Sequence, residues 1–215
     1  MKNLLLVIGF LSICYSCKQK EEKPLSKTEI NITEKIANAH GFQNWKHVTE
    51  IQFTFFNKRS WIWKPKTHDV TLITEKDTIN YNRTSIDSVS IKADKAFIND
   101  KFWLLIPFQL VWDKGTTIST PAKETAPISK KQLNKITITY ANEGGYTPGD
   151  AYDIYFDDHY LIKEWAFRKG NSPKAGLINT FENYQDYNGI KIALDHKKGD
   201  DDWNLNFSNI KINYN

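Results

Sequence analysis

Alternation of apolar and polar positions dominates the chain from about residue 50 to its end. It is clearest in residues 151–168, AYDIYFDDHYLIKEWAFR. β-Branched and aromatic residues fill two arms, and Asp157-Asp158-His159 between them has the chemistry of a turn. With Asp158 and His159 as a two-residue loop, Phe156 faces Leu161, Ile154 faces Lys163 and Tyr152 faces Trp165. That face is mostly apolar. The other, with Asp153, Tyr155, Asp157, Tyr160, Ile162 and Glu164, is mixed, as in an antiparallel sheet with one solvated face. Similar runs predict strands over 51–56, 58–64, 70–74, 78–82, 136–140, 177–186, 189–196 and 205–212. Trp61 and Trp63 share a face of the second run, and Tyr187-Asn188-Gly189 reads as a hairpin turn.

Helical spacing interrupts this pattern twice. In 30–40, Ile32, Ile36 and Ala39 form one stripe, with Thr33 placed to cap it and Gly41 to stop it. Phe42 and Trp45 continue as a short helical turn. Val89, Ala93, Ala96 and Phe97 predict a second helix, which Asn99 and Asp100 are suited to end. The run 101–112, KFWLLIPFQLVW, is the greasiest of the mature chain. Pro107 argues against one regular element there. A short helix followed by a strand fits, and periodicity alone does not decide. Residues 113–129, rich in Thr, Pro and Ser, read as a long loop.

Residues 1–16, MKNLLLVIGFLSICYS, have a basic start and an apolar core too short to span a bilayer. They resemble a bacterial lipoprotein signal peptide, in which the cysteine after cleavage is acylated. Ser16 precedes Cys17, whereas bulky Ile13 precedes Cys14, so Cys17 is the expected lipidation site. Residues 17–29 then read as a charged, disordered tether and 30–215 as one domain. Lys20-Glu21-Glu22 resembles the Lys-acidic-acidic export signal of outer-membrane surface lipoproteins; a charged linker is the other reading. The expected address is the outer membrane, on its periplasmic or surface face. Cleavage before Cys17 leaves no second cysteine, hence no disulfide.

Composition narrows the class. Of 215 residues 40% are hydrophobic and 13% aromatic, which fits a β-rich soluble domain with rigid contact surfaces. The net charge of +4 is spread along the chain, and no nucleic-acid motif accompanies it. A monomer is expected.

No catalytic or metal motif stands out. Asp157-Asp158-His159 reads as a turn, Asp200-Asp201-Asp202 lacks the EF-hand spacing, and EGGYTPGD at 143–150 lacks the context of a phosphate loop. The histidines show no zinc spacing, and no serine or mature cysteine occupies a nucleophile elbow. No cofactor, metal or catalytic residue is expected.

The order of elements, together with Ala39-His40-Gly41 and Trp45, the Arg59-Ser60-Trp61-Ile62-Trp63 strand, Trp103-Leu104-Leu105-Ile106-Pro107-Phe108 and Gly144-Gly145-Tyr146-Thr147-Pro148-Gly149-Asp150, resembles the Lol lipoprotein carriers, LolA and its anchored acceptor LolB, and related outer-membrane lipoproteins. The resemblance implies a mainly β, α+β fold: a single curved antiparallel sheet, or half-open β-barrel, with one N-terminal helix and a helical lid or plug around 88–106. It implies an acyl chain or other apolar ligand such as palmitate on the concave side, without covalent chemistry. Trp61, Trp63, Phe102, Trp103, Leu105, Phe108 and Trp165 are then the expected lining. Two other readings stay open: a surface lipoprotein gripping a glycan or a protein with exposed aromatics, and a hydrolase with an unrecognised site.

Overall fold

The computed structural model describes residues 31–142, 147–199 and 202–215. The expectations on the signal peptide, Cys17, the tether, Gly144-Gly145-Tyr146 and Asp200-Asp201 lie outside the described residues. Helix α1 (Ile32–Ala39) starts at Asn31, whose side chain accepts the Glu34 N–H at 2.9 Å. Asn31 is therefore the cap, and Thr33 instead donates to Asn31 Oδ1 at 2.6 Å. Gly41 ends the helix at φ 91°, and the short helical turn Phe42–His47 follows, as the spacing predicts. A Cβ on Gly41 would overlap the Gly189 carbonyl oxygen, so the exit of α1 meets the Asn188-Gly189 turn backbone to backbone. Asn188 and Gly189 have φ of 51° and 91°, the left-handed pair that a tight hairpin turn needs.

Strands β1 (Val48–Phe55), β2 (Arg59–Lys64), β3 (Asp69–Ile73) and β4 (Thr78–Asn82) form a meander. Helix α2 (Ile91–Trp112) interrupts it. There follow β5 (Thr116–Ile118), β6 (Ala122–Thr125), β7 (Gln132–Tyr140), β8 (Ala151–Phe156), β9 (Ile162–Arg168) and β10 (Leu177–Thr180). The last three are β11 (Glu182–Tyr187), β12 (Ile190–Lys197) and β13 (Asn204–Tyr214). A seven-stranded sheet has the order β11-β12-β13-β1-β2-β3-β4. A second sheet has the order β10-β9-β8-β7, with β5 and β6 both paired along the far edge of β7.

The fold is mainly β with helices, but the half-open barrel is overturned. Two open, uncurled antiparallel sheets stand where one curved sheet is expected. The cause lies in 177–186, which reads as one strand. Thr180 pairs with Glu164 in the second sheet, whereas Glu182 pairs with Asp195 in the first. The chain changes sheets at Phe181, and alternation carries no mark of which sheet a strand joins. The resemblance to the Lol carriers falls with the barrel.

The plug expected over 88–106 also differs. Neither Asn99-Asp100 nor Pro107 ends α2. The first half keeps the expected stripe, with Ala93 and Phe97 buried and Lys92 and Lys95 exposed, but residues Phe102 to Leu110 are all buried, so the second half is enclosed on every side and shows no stripe. Its backbone kinks at Leu105 (φ −125°, ψ 30°). A new helical turn begins just beyond, so Pro107 falls where an N–H has no intrahelical partner. Lys101 and Gln109 tie the two halves across the kink, Nζ donating to Oε1 at 2.9 Å. Helix α2 is the shared core of both sheets. Phe97 packs on Trp61 and Trp63 of the first at 5.4 and 5.3 Å. Phe102 and Trp103 pack on Trp165 of the second at 5.8 and 4.4 Å. The loop expected over 113–129 contributes β5 and β6, short strands whose Thr-rich sequence hides their pairing.

Candidate functional site

All seven residues expected to line a hollow are buried. They divide into three groups around α2. Trp61 and Trp63 meet Phe97, Phe108 meets Phe42 and Trp45, and Phe102, Trp103 and Trp165 meet near Tyr152. Leu105 sits at the kink. Their rings fill the space between the sheets, so the lipid-carrier reading, with its acyl chain or palmitate, is corrected: neither sheet encloses a cavity of that kind. A cleft of about 260 Å³ remains beside Phe102, Trp103 and Trp165. That is below the roughly 300–1,000 Å³ of small-molecule sites. Glycan stacking on exposed tryptophans finds no rings either: Trp45, Trp112 and Trp203 are half-buried and the other four are buried.

A cleft of about 630 Å³ lies where the chain passes from one sheet to the other. Its walls are the start of β7, the start of β9 and the Thr180–Tyr184 crossover. The hairpin 151–168 places the β9 wall, in a register different from the expected one. Ile154 faces Trp165, Tyr152 faces Phe167, and a bulge separates Tyr155 from Phe156. The turn is longer than two residues because Asp157 Oδ1 accepts the N–H groups of both His159 and Leu161 at 2.9 and 3.0 Å. Tyr155 and Glu164 pair on the outer face, where Tyr155 and Ala166 pack with Ala126.

Glu164 is the buried anchor of the cleft. Its carboxylate accepts the Ile128 and Ser129 N–H groups at 2.7 and 2.9 Å, pinning that loop across the sheet. Asp157 pairs with Lys163 at 3.3 Å, and Glu182 with Lys197 at 3.0 Å. Each carboxylate of the cleft is thus already engaged. Lys131 is exposed, and its ammonium pairs with nothing among the described residues. Phe181 and Leu133 give the cleft apolar surface, and Tyr184 donates its hydroxyl to the Ile162 carbonyl at 2.8 Å. Burial pushes the Tyr184 phenol well above its ordinary range, so it stays neutral. Beneath it His40 is fully buried, Nδ1 2.8 Å from the Ile36 carbonyl and Nε2 facing the Ile162 N–H at 3.4 Å. Burial lowers His40 to about 4, so it too is neutral near pH 7.

The cleft also contains an open strand edge. β11 is the terminal strand of the seven-stranded sheet, and Glu182, Asn183 and Tyr184 at its start line the cleft. Asp158 sits apart, paired with Lys123 at 2.6 Å, so Asp157-Asp158-His159 is a turn and not a cluster. No group of three metal-ligating side chains occurs among the described residues. Of the cleft residues the sequence singles out only Asp157, as part of a turn; the other available signal is the break in alternation at Thr180-Phe181-Glu182. No family model, curated protein or solved structure matches the chain.

Proposed function

We propose that the chain is a non-catalytic binding domain, held at the cell envelope through an acylated Cys17, that recognises an extended peptide segment of another protein. The observation that carries this reading is the open edge of β11 inside the cleft of about 630 Å³. An unpaired edge offers backbone donors and acceptors to an added strand, and flanking pockets select side chains. Lys131 on the β7 wall suits an acidic side chain of the guest, and Lys163 on the β9 wall can share its ammonium between Asp157 and the guest. Commitment of Asp157, Glu164 and Glu182 to existing partners favours binding over acid–base chemistry. The sequence of residues 1–17 supports the anchor.

Panning a random-peptide library against the mature protein tests this. The expected ligands are extended and acidic, and raise hydrogen-exchange protection along 182–187. The double variant K131E/K163E weakens them at least tenfold. Protection confined to another face, or affinities unchanged in K131E/K163E, would contradict the assignment.

A further inference from the structure

Four large apolar side chains stand exposed among the described residues: Val89 at 70%, Ile91 at 46%, Ile73 at 39% and Ile86 at 37%. Three of them fall within 86–91, the turn leading into α2. The fourth, Ile73, ends β3, where alternation turns it to the face opposite Leu72; Leu72, Thr74 and Val89 line a groove of about 310 Å³. Single exposed apolar residues are ordinary, but a cluster at one corner marks a contact surface.

The corner is built to hold its shape. Asp87 Oδ1 accepts the Val89 and Ser90 N–H groups at 3.1 and 2.8 Å and the Ser90 hydroxyl at 2.6 Å. Arg83 ties the turn to α2 through Asp94 at 2.6 Å. Val89 therefore points outward on a fixed turn. Exposed Lys92 and Lys95 follow one turn later, while exposed Asp87 stands in the turn itself and exposed Asp77 lines the groove.

We propose that this corner rests on the lipid bilayer, with Val89 and Ile91 entering the boundary between headgroups and acyl chains and Lys92 and Lys95 among lipid phosphates. The proposal relies on the anchoring of Cys17. Residues 18–30 can span at most about 45 Å, at roughly 3.5 Å each. A domain of this size is on the order of 40 Å across. The anchor therefore lets any face reach the membrane, and the apolar corner selects which one does. Tethering keeps the local bilayer concentration high, so a small patch suffices. The orientation has a consequence for recognition. The corner lies at the β4 edge and the peptide cleft at the β11 edge of one seven-stranded sheet. Six strand spacings of about 4.8 Å separate them, roughly 29 Å. Docking through β4 presents β11 away from the lipid.

The test uses the mature acylated protein in phosphatidylethanolamine–phosphatidylglycerol vesicles. V89C and, as control, Q185C on β11 are each labelled with an environment-sensitive fluorophore, and quenching by brominated lipid is read. The expected result is at least twofold quenching at 89 and none at 185. Protein that pellets with vesicles but shows equal, unquenched labels overturns the docking face while leaving the anchor intact. Protein that stays in the supernatant overturns both. A blue shift at 89 that needs an added envelope protein and resists brominated lipid assigns the corner to a protein partner, and overturns the bilayer proposal.

Discussion

Replacing Asp100 with alanine is expected to cost about 3–5 kcal/mol of stability, the range for breaking a buried ion pair from one side. The Asp100 side chain is fully buried on α2. Arg59 of β2 donates to both of its oxygens at 2.7 Å, Trp61 Nε1 donates at 2.9 Å, and Asn99 Nδ2 at 3.0 Å. Alanine would strand the indole N–H in the core and leave the guanidinium, about a third exposed, half-desolvated without a partner. The reciprocal variant R59A leaves a buried carboxylate with its charge uncompensated. The double variant R59A/D100A therefore costs less than the sum of the two. Urea unfolding of the four proteins measures this. A cost below about 1 kcal/mol for D100A, with additive behaviour, would show that the bond between α2 and the first sheet lies elsewhere.

Acidification from pH 6.5 towards 4 is expected to remove much of the remaining stability. His40 and His196 are fully buried, and burial lowers each to about 4 from an ordinary 6.5. His196 Nδ1 lies 3.0 Å from the Thr180 carbonyl, while its Nε2 faces Trp103, Phe181 and Phe207 without a polar partner among the described residues. Between pH 4 and 6.5 the unfolded chain binds a proton at each ring and the native protein does not. Stability is therefore complete above about 6.5, falls as the pH drops, and levels off below about 4. The loss reaches about 3 kcal/mol for each histidine, against typical totals of about 5–15. Asp195 and Glu182 favour the charged form of His196, and Lys191 and Lys163 oppose that of His40, but burial outweighs them all. Asp69, Asp87 and Asp158 are held below their ordinary range by hydrogen bonds, so their contribution is lost only in more acid solution. Urea midpoints at pH 7.5, 5.5 and 4.5 check the window, and H196L should remove about half of the slope. A flat profile above pH 4 would contradict neutral burial of both rings.

What was legible in the sequence was local. Alternation located most strands, Asn188-Gly189 marked a hairpin turn, and the stripe of Ile32 and Ile36 with Gly41 after it marked α1. Three non-local features were not legible. A helical stretch buried on all sides loses its periodicity, so the second half of α2 resembled a broken apolar run, and Pro107 strengthened that impression. A two-residue loop was the simplest turn for 157–161, yet one carboxylate capping two N–H groups lengthened it and shifted the register. Sheet membership depends on partners distant in sequence, so the change of sheet at Phe181 left only a break in alternation. The cleft arises from that change. Its residues are ordinary one by one: the anchoring role of Glu164 exists only because the loop after β6 folds back over β9. Of the expected lining, Trp61 and Trp165 pack against α2, and Trp103 is part of it, so none of the three faces a hollow.

The account turns on α2 being a fixed core and not a movable lid, which leaves recognition to the outer surface. Native-state hydrogen exchange of its backbone amides tests this most directly. If α2 is the common core, the hydrogen-bonded amides between Phe102 and Leu110, Pro107 having none, exchange only through global unfolding, with the same free energy and urea dependence as the innermost strands. Exchange of these amides through a local opening well below the global value, insensitive to urea, would show a helix that swings out, and the solid interior would be refuted.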